Sequence, residues 1–477
     1  MEFLLLYWPW LAAGVAPAVS FAVSIHVVFT KRDSRAAVAW IAIVWFVPIV
    51  GAALYFILGI NRIERRARRL RRKARFGKAP AGAMELPAPL PAEAAHLTPL
   101  AQLSEKVTGQ LLCPGNAVLP LYDGDEAYPA MLEAIDQAQH SIGMSMYIFN
   151  NDRTGNRFAD ALGKAATRGV EVRVLIDDVG ANFTWKSIVG PLARAGVRTA
   201  CFLPTFIPRF FAYAHLRNHR KLLIVDGRVG FTGGINVTDD HCLNLQTAHP
   251  IHDMQFRVAG PIVAQVQEIF VEDWKFTTGE TLQGERWFPI LQPRGAILAR
   301  GVNSGPDEDL EKLRMVLLGA LASARERVLI VTPYFLPDAG LISALNIAAL
   351  RGVQVEILIP KEGDLRLVRW AATAQLWQVL EHGCRVWLMP EPFLHTKLML
   401  VDRVWTLLGS GNWDARSLRL NFEFDIECYN RDLATMLQVH VEKCFAQAEP
   451  VTLATLKRRP PLVKLRDALA RLLMPYL

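Results

Sequence analysis

Apolar runs and amphipathic stretches alternate along most of the chain. Residues 128–180 hold an amphipathic stretch (YPAMLEAIDQAQ), an apolar run (SIGMSMYIF), a second amphipathic stretch (GNRFADALGKAATRG) and a second apolar run (VEVRVLID). Apolar residues at helical spacing predict helices, and short apolar runs predict buried strands. This part of the chain is therefore predicted to alternate helix and strand, as in α/β folds.

The same order returns in residues 308–360, with DLEKLRMVLLGALASA, RVLIVTPYFL, AGLISALNIAALRG and VQVEILIP. The segments RGVEVRVLID at residue 168 and RGVQVEILIP at residue 351 are nearly superimposable. Their separation is far longer than the repeat of a solenoid. The pattern predicts a duplicated α/β domain whose two halves are related by a pseudo-twofold axis.

Two long apolar runs precede this region. Residues 3–30 and 36–60 carry no formal charge, and each is long enough to cross a bilayer, which takes about 20 helical residues. The first run lacks a basic region before it and a small-residue cleavage site, so a signal peptide is disfavoured. We predict two transmembrane helices.

Charge changes the picture because it is concentrated directly after the second run. The 477 residues have a net charge of +8, and between residues 62 and 78 ten Lys and Arg residues face a single acid, Glu64. A basic run beside an apolar segment favours anionic lipid over nucleic acid as partner. The positive-inside rule places the following domain in the cytoplasm, although Lys31, Arg32 and Arg35 oppose it and leave a re-entrant or tilted hairpin open.

Composition divides the chain into five predicted parts. They are a transmembrane hairpin (1–60), a basic segment with a Pro/Ala-rich linker (61–95), a first half (96–290), a second half (291–455) and a C-terminal amphipathic segment (456–477). The C-terminal segment has Leu462, Leu465, Leu469, Leu472 and Leu473 at helical spacing, and either lies on the bilayer surface or packs on the domain. The aromatic stretch FLPTFIPRFFAYAH at 202–215 either contacts lipid or belongs to the core.

One pattern of five polar and glycine positions occurs twice. The copy HRKLLIVDGRVGFTGGIN has the fixed points His219, Lys221, Asp226, Gly233 and Asn236. The copy HTKLMLVDRVWTLLGSGN has the fixed points His395, Lys397, Asp402, Gly409 and Asn412 at the same intervals. Two matched copies in corresponding parts of a duplicated fold are a far stronger signal than one short motif.

The residue types in this pattern suit phosphoryl transfer. The runs LLIV and LMLV are predicted buried strands, and period-two geometry puts each His and Lys on one face. One imidazole can attack phosphorus while the other serves as general acid and base. The two lysines and the amides of Asn236 and Asn412 can hold the phosphate oxygens, so no metal or cofactor is required. Glycines 233, 234 and 409 allow close approach of the backbone.

Other histidines and the cysteines carry weaker signals. His215 and His219 form an HxxxH without a catalytic Glu between them, so a zinc protease site is not expected. His241, His249 and His252 show no standard ligand spacing and are predicted to be loop histidines. Six scattered cysteines without a CxxC indicate reduced core thiols rather than a disulfide framework or a structural zinc.

Both copies resemble the HxK(x)4D(x)6GxxN signature of the phospholipase D superfamily. The chain as a whole resembles bacterial cardiolipin synthases, in YIFNNDRTGNRFADAL, TPYFLPD, GSGNWDARSLRLNFE and the KRDSRAAVAW between the two apolar runs. The stretch 237–253 (VTDDHCLNLQTAHPIHD) is less similar to the family than its surroundings.

The resemblance implies a metal-independent, two-step transfer through a phosphohistidine, with one His from each half. By carry-over His219 is the nucleophile and His395 the general acid and base, an order that the residues themselves leave open. The family orients each His with a downstream carboxylate, for which Asp253 and Glu423 are the candidates here. Asp226 and Asp402 belong to the catalytic motif but are then expected to be more structural than proton-carrying.

The two half-sites indicate the type of chemistry but not the substrate. The predicted membrane anchor is therefore used to choose among the activities of the superfamily. The resemblance and the predicted hairpin together indicate a multi-pass protein of the bacterial cell membrane that moves a phosphatidyl group between two phosphatidylglycerol molecules and releases glycerol. A phospholipase D-type hydrolase or another phosphatidyltransferase is the alternative. A membrane-tethered nuclease is less favoured, and the oligomeric state stays open.

Overall fold

The structure is a computed structural model that describes residues 2–31, 34–59, 89–181, 186–204, 216–306, 309–472 and 474. The chain forms two compact units. One contains the N-terminal helices, and the other contains all described residues from 89 onward. The basic run at 62–78 and residues 205–215 of the aromatic stretch lie outside the described residues.

The N-terminal unit consists of helices α1 (Glu2–Thr30), α2 (Ser34–Phe46) and α3 (Pro48–Leu54), followed by a π-helical turn (Tyr55–Gly59). The second apolar run is divided at Pro48, which begins α3, since proline suits the first turn of a helix and disrupts an interior. The Ser20 hydroxyl donates to the Val44 carbonyl at 2.9 Å and joins α1 to α2.

Within the described residues, we find no helix that combines the length and the apolar character needed to cross a membrane. The prediction of two transmembrane helices is not confirmed.

The larger unit is built around strands that the apolar runs predicted. In the first half they are β1 (Cys113–Tyr122), β2 (Ser141–Met146), β3 (Glu171–Asp177), β4 (Arg198–Phe202), β5 (Leu222–Val225), β6 (Val229–Gly233), β7 (Ile251–His252) and β8 (Met254–Ala259). In the second half they are β9 (Ile297–Ser304), β10 (Arg327–Val331), β11 (Gln354–Pro360), β12 (Arg385–Met389), β13 (Phe393–Leu394), β14 (Leu398–Val401), β15 (Trp405–Gly409), β16 (Glu423–Tyr429) and β17 (Glu449–Val451).

Fifteen of the seventeen described strands form one sheet, with the order β17-β12-β11-β10-β14-β15-β16-β9-β1-β8-β6-β5-β2-β3-β4. Outward from the central pair β1 and β9, the two halves present equivalent strands in the same order, and β17 adds one further strand at the edge of the second half. The central pair, which we call the seam between the halves, is antiparallel, as a twofold axis between β1 and β9 requires. The predicted duplicated α/β fold is confirmed in this order.

Helices connect and cover the strands. In sequence order they are α4 (Thr98–Thr108), α5 (Asp123–Gln137), α6 (Arg153–Thr167), α7 (Asp178–Ala181), α8 (Val189–Arg194), α9 (Ile262–Thr278), α10 (Lys312–Ser323), α11 (Ala339–Leu350), α12 (Arg366–Gln375), α13 (Trp377–Leu380), α14 (Ala415–Arg419), α15 (Arg431–Phe445), α16 (Leu453–Arg458) and α17 (Pro461–Leu472). Short 3-10 turns lie at Ala92–Leu97, Asp239–His241 and Leu243–Leu245. The side chains of Asp152 and Asp338 cap the equivalent helices α6 and α11.

Helix α4 packs on the other half from the one that its position in the sequence suggested. Leu97 and Leu100 lie in the hydrophobic core of the second half with Leu313 and Val316 of α10, whereas the predicted first half begins at residue 96. An amphipathic pattern predicts that a helix buries one face but does not specify the partner. The division into five parts stays a prediction.

A buried ion pair joins the neighbouring strands β9 and β16 beside the seam. The Arg300 guanidinium on β9 donates to the Glu427 carboxylate on β16 at 2.5 Å, and both side chains are fully buried. Arg300 also donates to the Ala101 carbonyl of α4 at 2.8 Å. The pair therefore holds α4 on the sheet as well as joining two strands.

We expect Arg300→Met to lower the free energy of unfolding by about 3–5 kcal/mol, because it leaves the Glu427 carboxylate buried without its counter-charge. The double variant Arg300→Met/Glu427→Gln removes that charge and should be distinctly more stable than the single variant. Thermal or denaturant unfolding of the detergent-solubilised chain measures both. Equal destabilisation by the single and double variants would show that the charge of Glu427 is not the cause.

Candidate active site

Each predicted His–Lys pair lies in an extended segment that leads directly into a buried strand. His219 and Lys221 precede β5, and His395 and Lys397 precede β14. The Lys221 ammonium donates to the carbonyl of His219 at 2.6 Å, and Lys397 contacts the carbonyl of His395 in the same way. The two lysines are thereby fixed close to the histidines of their own halves.

Backbone pairing between the halves sets where each histidine points. The His219 amide donates to the Phe422 carbonyl at 2.9 Å, and the His395 amide donates to the His252 carbonyl at 2.7 Å. Phe422 and His252 are the residues directly before Glu423 and Asp253. The same register in both halves brings the histidine of one half to the carboxylate of the other.

Two reciprocal His–carboxylate pairs result. The Nδ1 atom of His219 lies 3.0 Å from the Glu423 carboxylate, and the Nδ1 atom of His395 lies 2.7 Å from the Asp253 carboxylate. Asp253 and Glu423 occupy equivalent positions, since each lies two residues before the partner of Gly233 or Gly409 in the sheet. A carboxylate on Nδ1 fixes the imidazole tautomer that leaves Nε2 as the reactive atom.

The two carboxylates differ in how they are held. Glu423 also accepts hydrogen bonds from Ser410, Ser417 and Asn421, at 2.6, 2.8 and 3.2 Å. Asp253 accepts one from the Met254 amide at 2.8 Å and lies 4.0 Å from the Lys397 ammonium. Glu423 therefore accepts more hydrogen bonds from the protein than Asp253 does.

Burial controls the charge of the site. It lowers the pKa of His219 to about 4 against the opposing effect of Glu423, and it lowers the pKa of His395 well below its usual value, with both lysines contributing. It also lowers the pKa of Lys221 to about 7 and that of Lys397 to about 8. Both imidazoles are therefore neutral at neutral pH.

The motif glycines Gly233 and Gly409 end β6 and β15, and the motif asparagines follow these strands. The Oδ1 atom of Asn236 accepts from the Ile148 amide at 3.0 Å, which leaves its NH2 group as the end that can donate to a phosphate. The buried Oδ1 atom of Asn412 has no hydrogen-bond partner among the described residues. Gly233 has a φ of +155°, and a Cβ there would lie 2.5 Å from the Met254 carbonyl oxygen, so this turn requires glycine.

The motif aspartates are bound to backbone amides rather than to the histidines. Asp226 accepts from the amides of residues 139–141 at 2.6–2.9 Å, directly before β2. Asp402 accepts from those of residues 325–327 at 2.8–2.9 Å, directly before β10, and its carboxylate lies 2.8 Å from Nε2 of His96. Both carboxylates lock the start of a strand; that they are more structural than proton-carrying stays a prediction.

Three aromatic side chains at the site were not predicted from the sequence. The Tyr147 ring packs edge-on to His219 with centroids 4.9 Å apart, and the equivalent Tyr334 ring packs edge-on to His395 at 6.4 Å. His241, predicted to be a loop histidine, is buried 6.3 Å from the His395 ring. The tyrosines could have been predicted from the matched positions of the segments YIFNND and YFLPD in the two halves. The sequence around His241 gives no indication that this residue lies at the site.

A buried carboxyl group lies beside the site without a charged partner for its second oxygen. Asp425 accepts from the Gly411 amide at 3.0 Å through Oδ1, while Oδ2 has no hydrogen-bond partner among the described residues. Burial raises the pKa of Asp425 to about 8. The equivalent residue in the first half is Gln255, so both positions hold neutral groups at neutral pH.

A duplicated α/β sheet with one His–Lys pair from each half defines a phospholipase D-type protein. The family model described as "Cardiolipin synthase, PLD-like domain" matches residues 131–274 and 317–445, and one described as "Phospholipase_D-nuclease N-terminal" matches residues 18–59. The chain belongs to the cardiolipin synthase family of phospholipase D-like proteins.

Individual relatives match along nearly the whole chain. A cardiolipin synthase of Oceanobacillus iheyensis is 32% identical over 98% of this chain and 99% of the relative. The major cardiolipin synthase of Bacillus subtilis is 31% identical over 94% of this chain and 95% of its own. Among solved structures, the phosphatidylserine synthase of Haemophilus influenzae covers 80% of this chain and 100% of its own with a TM-score of 0.60. At 15% identity the last similarity shows the fold alone.

We expect Asp226→Ala to lower the free energy of unfolding by about 1–3 kcal/mol, because the Ser141 amide loses its acceptor in a buried place. Asp226→Asn should lose less, since asparagine retains one acceptor oxygen and tolerates the positive φ of 53° found here. Turnover by the folded fraction of either variant should stay within about tenfold of the parent. Loss of turnover in a fully folded Asp226→Asn protein would indicate a chemical role.

We expect Asp425→Asn to raise the melting temperature at pH 9 but much less at pH 5. The folded protein keeps this proton up to about pH 8, whereas the unfolded chain loses it near pH 4. Ionisation of the unfolded chain therefore favours unfolding of the parent as pH rises from 4 to 8, and asparagine abolishes this contribution. A melting difference that does not change with pH would contradict the assigned proton.

Proposed function

We propose that the chain transfers a phosphatidyl group from one phosphatidylglycerol molecule to the hydroxyl of another, which yields cardiolipin and glycerol. The observation that carries this proposal is the pair of reciprocal contacts, His219 with Glu423 and His395 with Asp253. They give one site two oriented imidazoles, which is the number that a nucleophile and a separate proton carrier need. Family membership supports the choice of a phospholipid substrate.

In the first step Nε2 of His219 attacks the phosphorus of the donor lipid. An N–P bond forms as the P–O bond to glycerol breaks, and His395 gives its Nε2 proton to the departing glycerol oxygen. Lys221, Lys397, Asn236 and Asn412 are proposed to hold the phosphate oxygens and to stabilise their charge in the transition state. No other reactant is consumed in this step.

His395 takes up the proton for that step from solvent when the substrate binds. Before substrate binds, His395 is neutral, because burial and the two nearby lysines lower its pKa. A phosphodiester anion bound between the half-sites adds a negative charge and raises the pKa of His395, and Asp253 stabilises the imidazolium that forms. Substrate binding and proton uptake by His395 are therefore coupled.

In the second step the acceptor lipid's glycerol hydroxyl gives its proton to His395. Its oxygen attacks phosphorus, the N–P bond breaks, and His219 is regenerated. Water at the same place would give phosphatidic acid instead, which is the hydrolase alternative. Exclusion of water from the intermediate favours transfer, and the burial of both histidines to within 9% exposure supports it.

The unequal carboxylates support His219 as nucleophile. Phosphorylation at Nε2 while Nδ1 retains its proton keeps the His219 ring cationic throughout the intermediate, whereas His395 becomes neutral when it gives up its proton. The nucleophile therefore depends more on an ionised neighbour. The hydrogen bond with His219, the nearby Lys221 and the Ser410 hydroxyl keep the pKa of Glu423 below its usual value despite burial. Burial instead raises the pKa of Asp253.

The N-terminal unit is proposed to hold the enzyme in the cell membrane as a hairpin, with the catalytic halves in the cytoplasm. The uncharged runs at 3–30 and 36–60 and the ten basic residues that follow support this arrangement. The match of residues 18–59 to the family model described as "Phospholipase_D-nuclease N-terminal" also supports it. The domain boundaries given from composition are proposed with it.

The reaction is tested with detergent-purified chain and phosphatidylglycerol labelled in its headgroup glycerol as the sole lipid. We expect labelled free glycerol and cardiolipin to appear in equal amounts. Phosphatidic acid in place of cardiolipin would identify a hydrolase. Absence of both products from folded protein would overturn the proposed function.

The roles of the two histidines are tested with a phosphatidyl ester of p-nitrophenol, a leaving group that needs no proton. With His395→Ala we expect a stoichiometric burst of nitrophenol and a phosphatidyl adduct on His219, followed by slow turnover. The matched variant His219→Ala should give neither burst nor adduct. The opposite pattern would assign the nucleophile to His395, and an undiminished rate in both variants would overturn the histidine mechanism.

A further inference from the structure

The C-terminal helix α17 packs on the second half and still presents a row of leucines outward. Ala470 is buried against Val368, Ala371 and Ala372 of α12, and the buried Asp467 lies 2.8 Å from Arg466 and also contacts Arg459. The opposite face carries Leu462, Leu465, Leu469 and Leu472, with exposures of 80, 56, 55 and 69%. Packing on the domain therefore accounts for one face of the helix and leaves the leucines unexplained.

The exposed leucines continue onto α12 as one apolar surface. A shallow crease of about 370 Å³ runs between the helices and is lined by Leu367 and Trp370 together with three of the leucines. The Arg466 guanidinium covers the Trp370 ring at 4.2 Å. Contiguous apolar surface of this kind marks an interaction site more often than an accident of sequence.

Charge around the leucines has one sign. Residues 452–477 contain six Lys and Arg residues and a single acid, Asp467, which is buried and paired with arginines. Lys457, Arg458 and Lys464 are exposed. Apolar side chains flanked by exposed cations match the interface of a bilayer that contains anionic phospholipid.

The same surface leads to the catalytic site. A cavity of about 450 Å³ shares the lining residues Trp370 and Arg466 with the crease and is also lined by Tyr334 and Phe335. Tyr334 is the residue that packs edge-on to His395. A bilayer lying against α17 would thus lie next to a cavity, lined by both apolar and charged residues, that contacts the side of the site proposed to receive the acceptor hydroxyl.

We propose that α12 and α17 form a docking face that rests on the surface of an anionic bilayer, with Leu462, Leu465, Leu469 and Leu472 inserted among the lipids. The exposed cations of 457–464 lie against the headgroups, and the cavity beside Tyr334 opens toward the lipid. The proposal goes beyond the proposed reaction, since docking is measured without turnover and holds or fails independently of it.

The test uses the full chain with a nitroxide spin label at Leu465→Cys, in a background where the partly exposed Cys201 and Cys444 are serine. The matched control is a label at Met436→Cys on α15, where the native side chain is 49% exposed. Proteins are reconstituted into phosphatidylcholine vesicles with or without phosphatidylserine. Collision of the label with oxygen, which partitions into lipid, and with a water-soluble nickel chelate reports its depth.

In vesicles with phosphatidylserine we expect the label at 465 to gain oxygen contact and to lose nickel contact, while the label at 436 stays in water. Lys457→Gln/Arg458→Gln should lower the ratio of lipid-facing to aqueous label roughly thirtyfold, at about 1 kcal/mol for each lost cation. Nickel contact at 465 equal to that at 436 in both lipids would overturn the proposal. Shielding of 465 from both reagents, dependent on protein concentration and not on lipid, would overturn it in favour of a second copy of the chain.

Discussion

The site depends on placing two imidazoles and two carboxylates together in a buried space, where an unpaired charge is costly. Two matched backbone hydrogen bonds position these groups. The His219 amide donates to the Phe422 carbonyl, and the His395 amide donates to the His252 carbonyl. Each of these bonds joins a histidine to the residue that directly precedes the carboxylate of the other half. Side-chain contacts of 2.7–3.0 Å then follow from main-chain register rather than from flexible rotamers.

This crossed arrangement makes the two halves chemically interdependent. Separating them would leave Glu423 and Asp253 without the imidazoles that they contact, so neither half contains a complete pair. The seam is correspondingly strong, with the antiparallel pairing of β1 and β9 and the buried Arg300–Glu427 ion pair beside it. A fold that arises by duplication thus holds one catalytic centre, because the twofold relation brings equivalent residues together at the junction of the halves.

Much of the architecture followed from the sequence, because strand and helix periodicity is local. The runs LLIV and LMLV form β5 and β14, and both helix–strand–helix–strand segments were predicted correctly. The sequence did not predict that His219 pairs with Glu423 rather than with Asp253. The two carboxylates occupy equivalent positions in their halves, and only the register between the halves determines which histidine each one contacts. The same reason applies to α4, whose apolar face identified no partner, and to His241 and Asp425, whose properties arise from burial by distant segments.

The duplication is nearly symmetric in backbone and unequal in chemistry, and this inequality is what a two-step transfer requires. One imidazole must accept a phosphorus substituent while the other moves a proton twice, so identical surroundings would suit neither role. Serine and asparagine donors surround Glu423, whereas Asp253 has an amide and a more distant lysine. The second half also carries α17 and the cavity that reaches Tyr334. In the proposed mechanism, lipid entry beside His395 brings the acceptor hydroxyl to the histidine that is proposed to carry the proton, while His219, the proposed nucleophile, lies beside the carboxylate with more hydrogen-bond donors.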